Sequence, residues 1–85
     1  MSWSREALTT RIHQILRDEL LSVGDEFTPQ SDLVAAGLDS LAVTQLLLAI
    51  EESTGVWVDE SLLTEKTLAS AETLAACVHD QLPGR

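Results

Sequence analysis

One short segment of this 85-residue chain, Asp39-Ser40-Leu41, has residue types whose order suggests covalent chemistry. Ser40 follows a stretch rich in turn formers and heads an apolar run, which predicts a helix N-terminus. Either Asp39 or Ser40 is an expected cap there, and most such pairs do nothing more. The same position leaves the serine hydroxyl exposed. The unbonded N–H groups of a first helical turn and the helix dipole favour negative charge, so a phosphodiester on Ser40 would be well placed. Capping and attachment are compatible, and the pair alone does not decide between them.

Other chemistry is poorly supplied. There is no glycine-rich loop of the kind that cradles phosphates. Cys77 is the sole cysteine, which rules out an intramolecular disulfide and a thiolate metal site, and it reads as a small core residue. His13 and His79 are far apart and lack ligand spacing. His13 is expected at the surface beside the apolar stripe of a first helix, and His79 in the last turn of a final helix, where a cation suits the dipole. Asp25, Glu26 and Asp32 do not fit a calcium loop. No catalytic residue and no metal site is expected. A hydrolase built on Ser40 would lack its histidine, and a chain this short offers little room for a water-excluding pocket.

Charge narrows the partners. Five Lys and Arg stand against fourteen Asp and Glu, a net charge of −9. Such a field repels phosphate backbones and anionic bilayers, so nucleic acid and membrane surfaces are poor partners, whereas basic protein surfaces are drawn in faster. The apolar fraction of 45% is that of a globular domain. The N-terminus lacks the pattern of a signal peptide, and the longest apolar run, Leu46 to Ile50, is far too short to span a membrane. A cytoplasmic monomer forming one domain over residues 1–85 is expected, and the Pro-Gly-Arg ending suggests a complete small protein.

The elements that must position Ser40 follow from periodicity. Leu8, Ile12, Ile15, Leu16 and Leu20 recur at spacings of three and four, predicting a first helix over Ser4–Leu21 capped by Ser2 or Ser4. Ser22–Leu38 is a long loop with a short helical turn around Asp32–Ala36. Its expected apolar anchors are Phe27, Leu33, Val34 and Leu38. A second helix, Ser40–Ser53, is apolar over most of its circumference and ends at Gly55, a residue suited to the left-handed C′ position. Val56–Val58 is extended, and Asp59–Thr64 can form one short helical turn. A last helix, capped by Thr67 or Ser70, runs to about Gln81, with Leu74, Ala75, Cys77 and Val78 inward and Pro83-Gly84 as its stop. The fold class is all-α: a four-helix bundle with three long helices, one short helix and a long first loop.

The segment Asp-Leu-Val-Ala-Ala-Gly-Leu-Asp-Ser-Leu, residues 32–41, resembles the phosphopantetheine attachment motif of acyl carrier proteins. The likeness continues through Ile50–Val58, which looks like the end of that family's second helix, and Ser70–Leu74, which looks like the start of its last. It therefore covers nearly the whole chain. The resemblance implies that a phosphopantetheinyl transferase, using coenzyme A and magnesium, modifies Ser40 with a covalent 4′-phosphopantetheine whose thiol holds acyl groups as thioesters. Asp39 would be the acid that helps position the transferase, and Leu41 the apolar contact that follows. The carrier would be a substrate of its partners and catalyse nothing. Its partners would be acyl- or aminoacyl-loading enzymes, acyltransferases and synthases with basic or apolar docking surfaces.

The partner surface is expected on the second helix. With Val43, Leu46, Leu47 and Ile50 inward, Leu41, Ala42, Gln45, Leu48, Glu51 and Glu52 lie toward solvent, and Trp57 follows as a further contact candidate with packing as its equal alternative. Bacterial fatty-acid carriers place several acids along this helix; here Ala42 and Gln45 stand at matching positions and acids remain only at its end. That departure favours a discrete carrier in a specialised pathway, of polyketide or nonribosomal-peptide type, over a housekeeping fatty-acid carrier. Gly-Leu-Asp-Ser-Leu is closer to acyl than to peptidyl carriers, though discrete aminoacyl carriers can share it. The reading from another class is an acidic helical interaction module in which Ser40 is only a cap.

Overall fold

The computed structural model describes residues 3–82. Three α-helices make the frame: α1, Arg5–Ile15; α2, Ser40–Thr54; and α3, Ala71–Gln81. A π-helical turn, Leu16–Leu20, continues α1, and two 3₁₀ turns, Glu60–Leu62 and Thr67–Ala69, lie between α2 and α3. No strand occurs among the described residues, and no described helix is long and apolar enough to cross a membrane.

Each helix starts where its sequence supplies an acceptor for an orphan N–H group. Ser4 caps α1, its Oγ accepting from the Ala7 N–H at 3.0 Å. Ser2 lies outside the described residues, as does the Pro83-Gly84 stop. Ser70, not Thr67, caps α3. Its Oγ accepts from the Thr73 N–H at 3.2 Å, while the Thr73 hydroxyl oxygen accepts from the Ser70 N–H at 3.0 Å. This reciprocal pair satisfies two donors at once. Helix α2 closes at Gly55, whose φ of 77° is the left-handed conformation that costs a side-chain-bearing residue most.

The core is one cluster. Leu8, Ile12, Ile15 and Leu16 from the first helical rod meet Leu46, Leu47 and Ile50 from α2 and Leu74, Ala75 and Val78 from α3. The long loop completes it through Phe27, Leu33 and Leu38. Val56 and Val58 are buried and Trp57 between them is exposed, the alternation of an extended segment lying on a core.

Several expectations need correction. Val34 is not an anchor; it is 70% exposed. The Asp32 carboxylate accepts from the Val34 and Ala35 N–H groups, which winds a single turn there. That turn directs Leu33 inward and its neighbour outward. The short helical turn expected within Asp59–Thr64 is present as the 3₁₀ turn Glu60–Leu62, and a second 3₁₀ turn, Thr67–Ala69, follows it. Asp59 caps the first of these, accepting from the Ser61 N–H at 2.8 Å, and that bond lowers the Asp59 carboxyl below its ordinary pKa. His13 is half-buried: its Nε2 lies 2.9 Å from the Phe27 carbonyl oxygen, and its ring stacks on Phe27 at 5.0 Å. It fastens the long loop to α1. Cys77 is half-buried, at the edge of the core.

Candidate functional site

The long loop reaches α2 through a fixed sequence of contacts. The Leu33 N–H donates to the Ala69 carbonyl, tying the loop to the 3₁₀ turn before α3. The Leu38 N–H donates to the Leu33 carbonyl, and Leu38 is buried. Gly37, between them, has a φ of 109°, a backbone conformation that only glycine adopts without strain. Asp39 is then extended and caps the helix, its Oδ1 accepting from the Ala42 N–H at 2.8 Å. Ser40 is the first residue of α2.

Asp39 and Ser40 are both exposed. Because Asp39 supplies the cap, the Ser40 hydroxyl is spared that duty and makes no hydrogen bond among the described residues. The Ser40 and Leu41 N–H groups likewise find no acceptor there. The site thus offers an open hydroxyl beside two unbonded donors at the positive end of a fifteen-residue helix. A phosphate ester joined to that oxygen fits this setting. Leu41, immediately beyond, is 67% exposed.

The expected partner face is only partly assembled. Leu41, Gln45, Leu48 and Glu52 are exposed at spacings of four, three and four, which puts them on one side of α2, with Glu51 exposed beside them. Ala42 does not belong with them. It is 8% exposed, because it falls in the inward row with Leu46 and Ile50 at i, i+4 and i+8. Trp57 is 49% exposed in the segment after α2 and does not share the helical row. Two apolar residues that sequence reasoning did not assign to this side are also exposed: Val34, and Leu62 at 41%. The 3₁₀ turn bearing Leu62 is brought beside the head of α2 by a 3.5 Å contact between the Thr44 hydroxyl and the Glu60 carboxylate.

No described group of three or more His, Cys, Asp or Glu is arranged to hold a metal. Burial, aided by the charge of Asp80, raises the Cys77 thiol above its ordinary pKa, so it is a poor nucleophile.

This helical frame presents an open serine hydroxyl at a capped helix start. Residues 10–78 match the family described as Phosphopantetheine attachment site, and the chain belongs to that family: it is a carrier protein whose cofactor is covalent 4′-phosphopantetheine. A relative described as "Aminoacyl carrier protein", from Agrobacterium fabrum (strain C58), is 38% identical over 61 residues, which is 72% of this chain and 74% of the relative. The fold matches a chain in the crystal structure of engineered Bradyrhizobium japonicum glycine:[carrier protein] ligase complexed with carrier protein from Agrobacterium tumefaciens and ATP. There the TM-score is 0.65 and the identity 34%, over 81% of this chain and 92% of that one. A second match is to a chain in the structure of the Bradyrhizobium japonicum ligase with its cognate carrier protein and an analogue of glycyl adenylate. Its TM-score is 0.66 and its identity 28%, over 91% of this chain and 97% of that one.

Proposed function

We propose that this chain carries aminoacyl groups as thioesters on a 4′-phosphopantetheine joined to Ser40, and that it passes them between enzymes of a specialised pathway of the nonribosomal-peptide or polyketide type. The observation that carries the assignment to Ser40 is its exposed, unbonded hydroxyl at the first residue of α2, with the capping role taken by Asp39. The bound group supplies a thiol at the end of a flexible arm, where a carboxylic acid is held as a reactive thioester. The protein's own part is to present the oxygen and stabilise its ester. In the modification step the Ser40 hydroxyl attacks the phosphate of coenzyme A that bears the pantetheine. A new O–P bond forms, the pyrophosphate bond breaks, the serine proton passes to a base of the transferase, and adenosine bisphosphate leaves. Asp39 serves as the acid that the transferase recognises, and Leu41 as the apolar contact next to the reaction.

An amino acid is favoured as cargo because the curated relative is an aminoacyl carrier and the matched structures contain a ligase for glycine and carrier protein. The partners in this reading are a phosphopantetheinyl transferase and an ATP-dependent aminoacyl-loading enzyme. They would meet Leu41, Gln45, Leu48 and Glu52, a row that is uncharged until its far end.

The test has two stages. The protein is incubated with a promiscuous phosphopantetheinyl transferase, coenzyme A and magnesium, and weighed intact. A gain of one arm, absent in Ser40→Ala, is expected; no gain while a control carrier is modified would deny Ser40 the role of attachment point. The modified protein is then offered ATP and amino acids with an amino acid:[carrier protein] ligase, and in parallel malonyl-coenzyme A with a malonyl transferase. An aminoacyl mass gain is expected, and malonyl loading alone would return the chain to acyl synthesis.

A further inference from the structure

The Thr44 hydroxyl has a single hydrogen and two acceptors within reach. It lies 3.2 Å from the Ser40 carbonyl oxygen and 3.5 Å from a carboxylate oxygen of Glu60. Thr44 stands one helical turn beyond Ser40 on the same face of α2, and side chains so related have Cβ atoms about 5–6 Å apart. Glu60 thus brings a negative charge beside the serine. The 3₁₀ turn that it heads, Glu60–Leu62, is lightly held and has no buried residue. Its own bonds close it on itself. The Leu62 N–H donates to the Asp59 carbonyl and the Leu63 N–H to the Glu60 carbonyl, both at 2.9 Å, and the Ser61 N–H donates to the Asp59 carboxylate. Among the described residues the contact with Thr44 is the one hydrogen bond that joins this turn to α2, and no cation pairs with Glu60.

We propose that Thr44 and Glu60 form a charge-sensitive latch: while Ser40 bears a free hydroxyl the 3₁₀ turn is seated on the head of α2, and a phosphodiester on Ser40 releases it. The inference rests on the carrier reading for the group that Ser40 bears. A phosphodiester keeps one negative charge at neutral pH and brings it within about a turn of the Glu60 carboxylate, where like charges repel. It also sets charged acceptor oxygens near Thr44, whose single hydrogen can leave Glu60 for them. Both effects act on the same 3.5 Å contact, which is longer than an ordinary O–H···O bond and therefore weak. The segment that moves carries an exposed apolar side chain, Leu62. The position of Leu62 thereby reports what Ser40 carries. A transferase needs the free hydroxyl and a loading enzyme needs the finished ester. The latch offers each a differently placed contact without rearrangement of the core.

The test reads the turn itself, by amide hydrogen exchange in the full chain labelled with nitrogen-15. Ser40→Glu places a carboxylate about where the ester phosphate would be and needs no transferase; Ser40→Gln is its neutral control. Exchange at Leu62 and Leu63, the donors of the turn, should quicken about threefold in Ser40→Glu, the effect of two unit charges about 7 Å apart in a water-like dielectric. The same quickening is expected in parent protein whose modification has been verified by mass, and none in Ser40→Gln. In a Glu60→Gln background the amide oxygen can still accept from Thr44, so a merely structural contact would keep the response, whereas the latch should lose it. Thr44→Val lacks the donor and should exchange fast with or without the added charge. Raised ionic strength should shrink the response. No quickening in Ser40→Glu, or equal quickening in the Glu60→Gln background, would overturn the proposal. So would a rise spread evenly over the amides of α1 and α3. A modified serine with an unmoved turn refutes the latch and leaves the attachment point. A turn released in Ser40→Glu while the parent resists modification refutes the attachment point and leaves the latch.

Discussion

Asp39 and Ser40 share one helix terminus, and substitutions can separate their roles. Asp39→Ala removes the acceptor for the Ala42 N–H, a loss that should cost about 1 kcal/mol. In a domain of this size that is a fall in Tm of about 4–8 °C. Asp39→Asn keeps an acceptor oxygen and should melt within a degree or two of the parent, since asparagine caps about as well as aspartate. If the transferase reads the acid, the Asn variant should lose modification while keeping its Tm; unchanged modification would assign Asp39 to capping only. Ser40→Ala should leave the Tm nearly unaltered, because the hydroxyl holds nothing among the described residues. Cys77 carries a different expectation. Its raised pKa means that the neutral thiol is favoured in the fold, so its contribution to stability is kept at neutral pH and is lost only as the pH rises through that raised value. In Ser40→Ala at pH 8, iodoacetamide should alkylate Cys77 more slowly than it alkylates free cysteine, as read by intact mass. Faster alkylation would contradict the burial argument.

At the scale of elements, the long loop is what gives the head of α2 its fixed place. His13 grips it at Phe27, and Leu33, Gly37 and Leu38 bring it to Asp39. Gly37→Ala forces a side chain into a φ of 109°, although nothing lies within 4 Å of the added carbon. The cost should therefore be conformational, about 1–3 kcal/mol, and visible as a lower denaturant midpoint with an unchanged slope. Much of this was legible beforehand. Spacing alone located Leu8, Ile12 and Ile15 in the core, because a helix interior repeats at three and four, whereas α2 offered two apolar directions, of which that of Leu46, Leu47 and Ile50 is the buried one. Ser4, Ser70 and Gly55 were legible as helix ends from their capping chemistry. What escaped was set by short-range hydrogen bonds and tertiary contact. The turn made by the Asp32 carboxylate reversed the expectation for Val34, and stacking on a residue fourteen positions away drew His13 inward. Ala42 was placed outward by helical geometry together with its neighbour Leu41, although its row with Leu46 and Ile50 points inward. A single helix between α2 and α3 and a pair of 3₁₀ turns leave similar traces in a short segment without clear periodicity.

For the molecule as a whole, fourteen acids stand against five basic residues, an excess of negative charge that repels itself; Arg17 pairs with Asp18 at 2.9 Å. Screening should therefore help. Thermal melts at pH 7 should shift upward by a few degrees between about 10 mM and about 150 mM sodium chloride, over which the Debye length falls from about 30 Å to about 8 Å. A downward shift would mean that attractive pairs outweigh the repulsion. The stability at stake is small, because a chain of 85 residues has a modest core. The fixed seat of Leu38 has a last consequence, on the reading that Ser40 bears the arm. With its root anchored one residue beyond a capped helix start, a tethered cargo has a stationary pivot. The volume it sweeps is then set by the length of the arm rather than by motion of the protein. Its effective concentration at a partner's catalytic centre is governed by how far that centre lies from the pivot once the two proteins have docked.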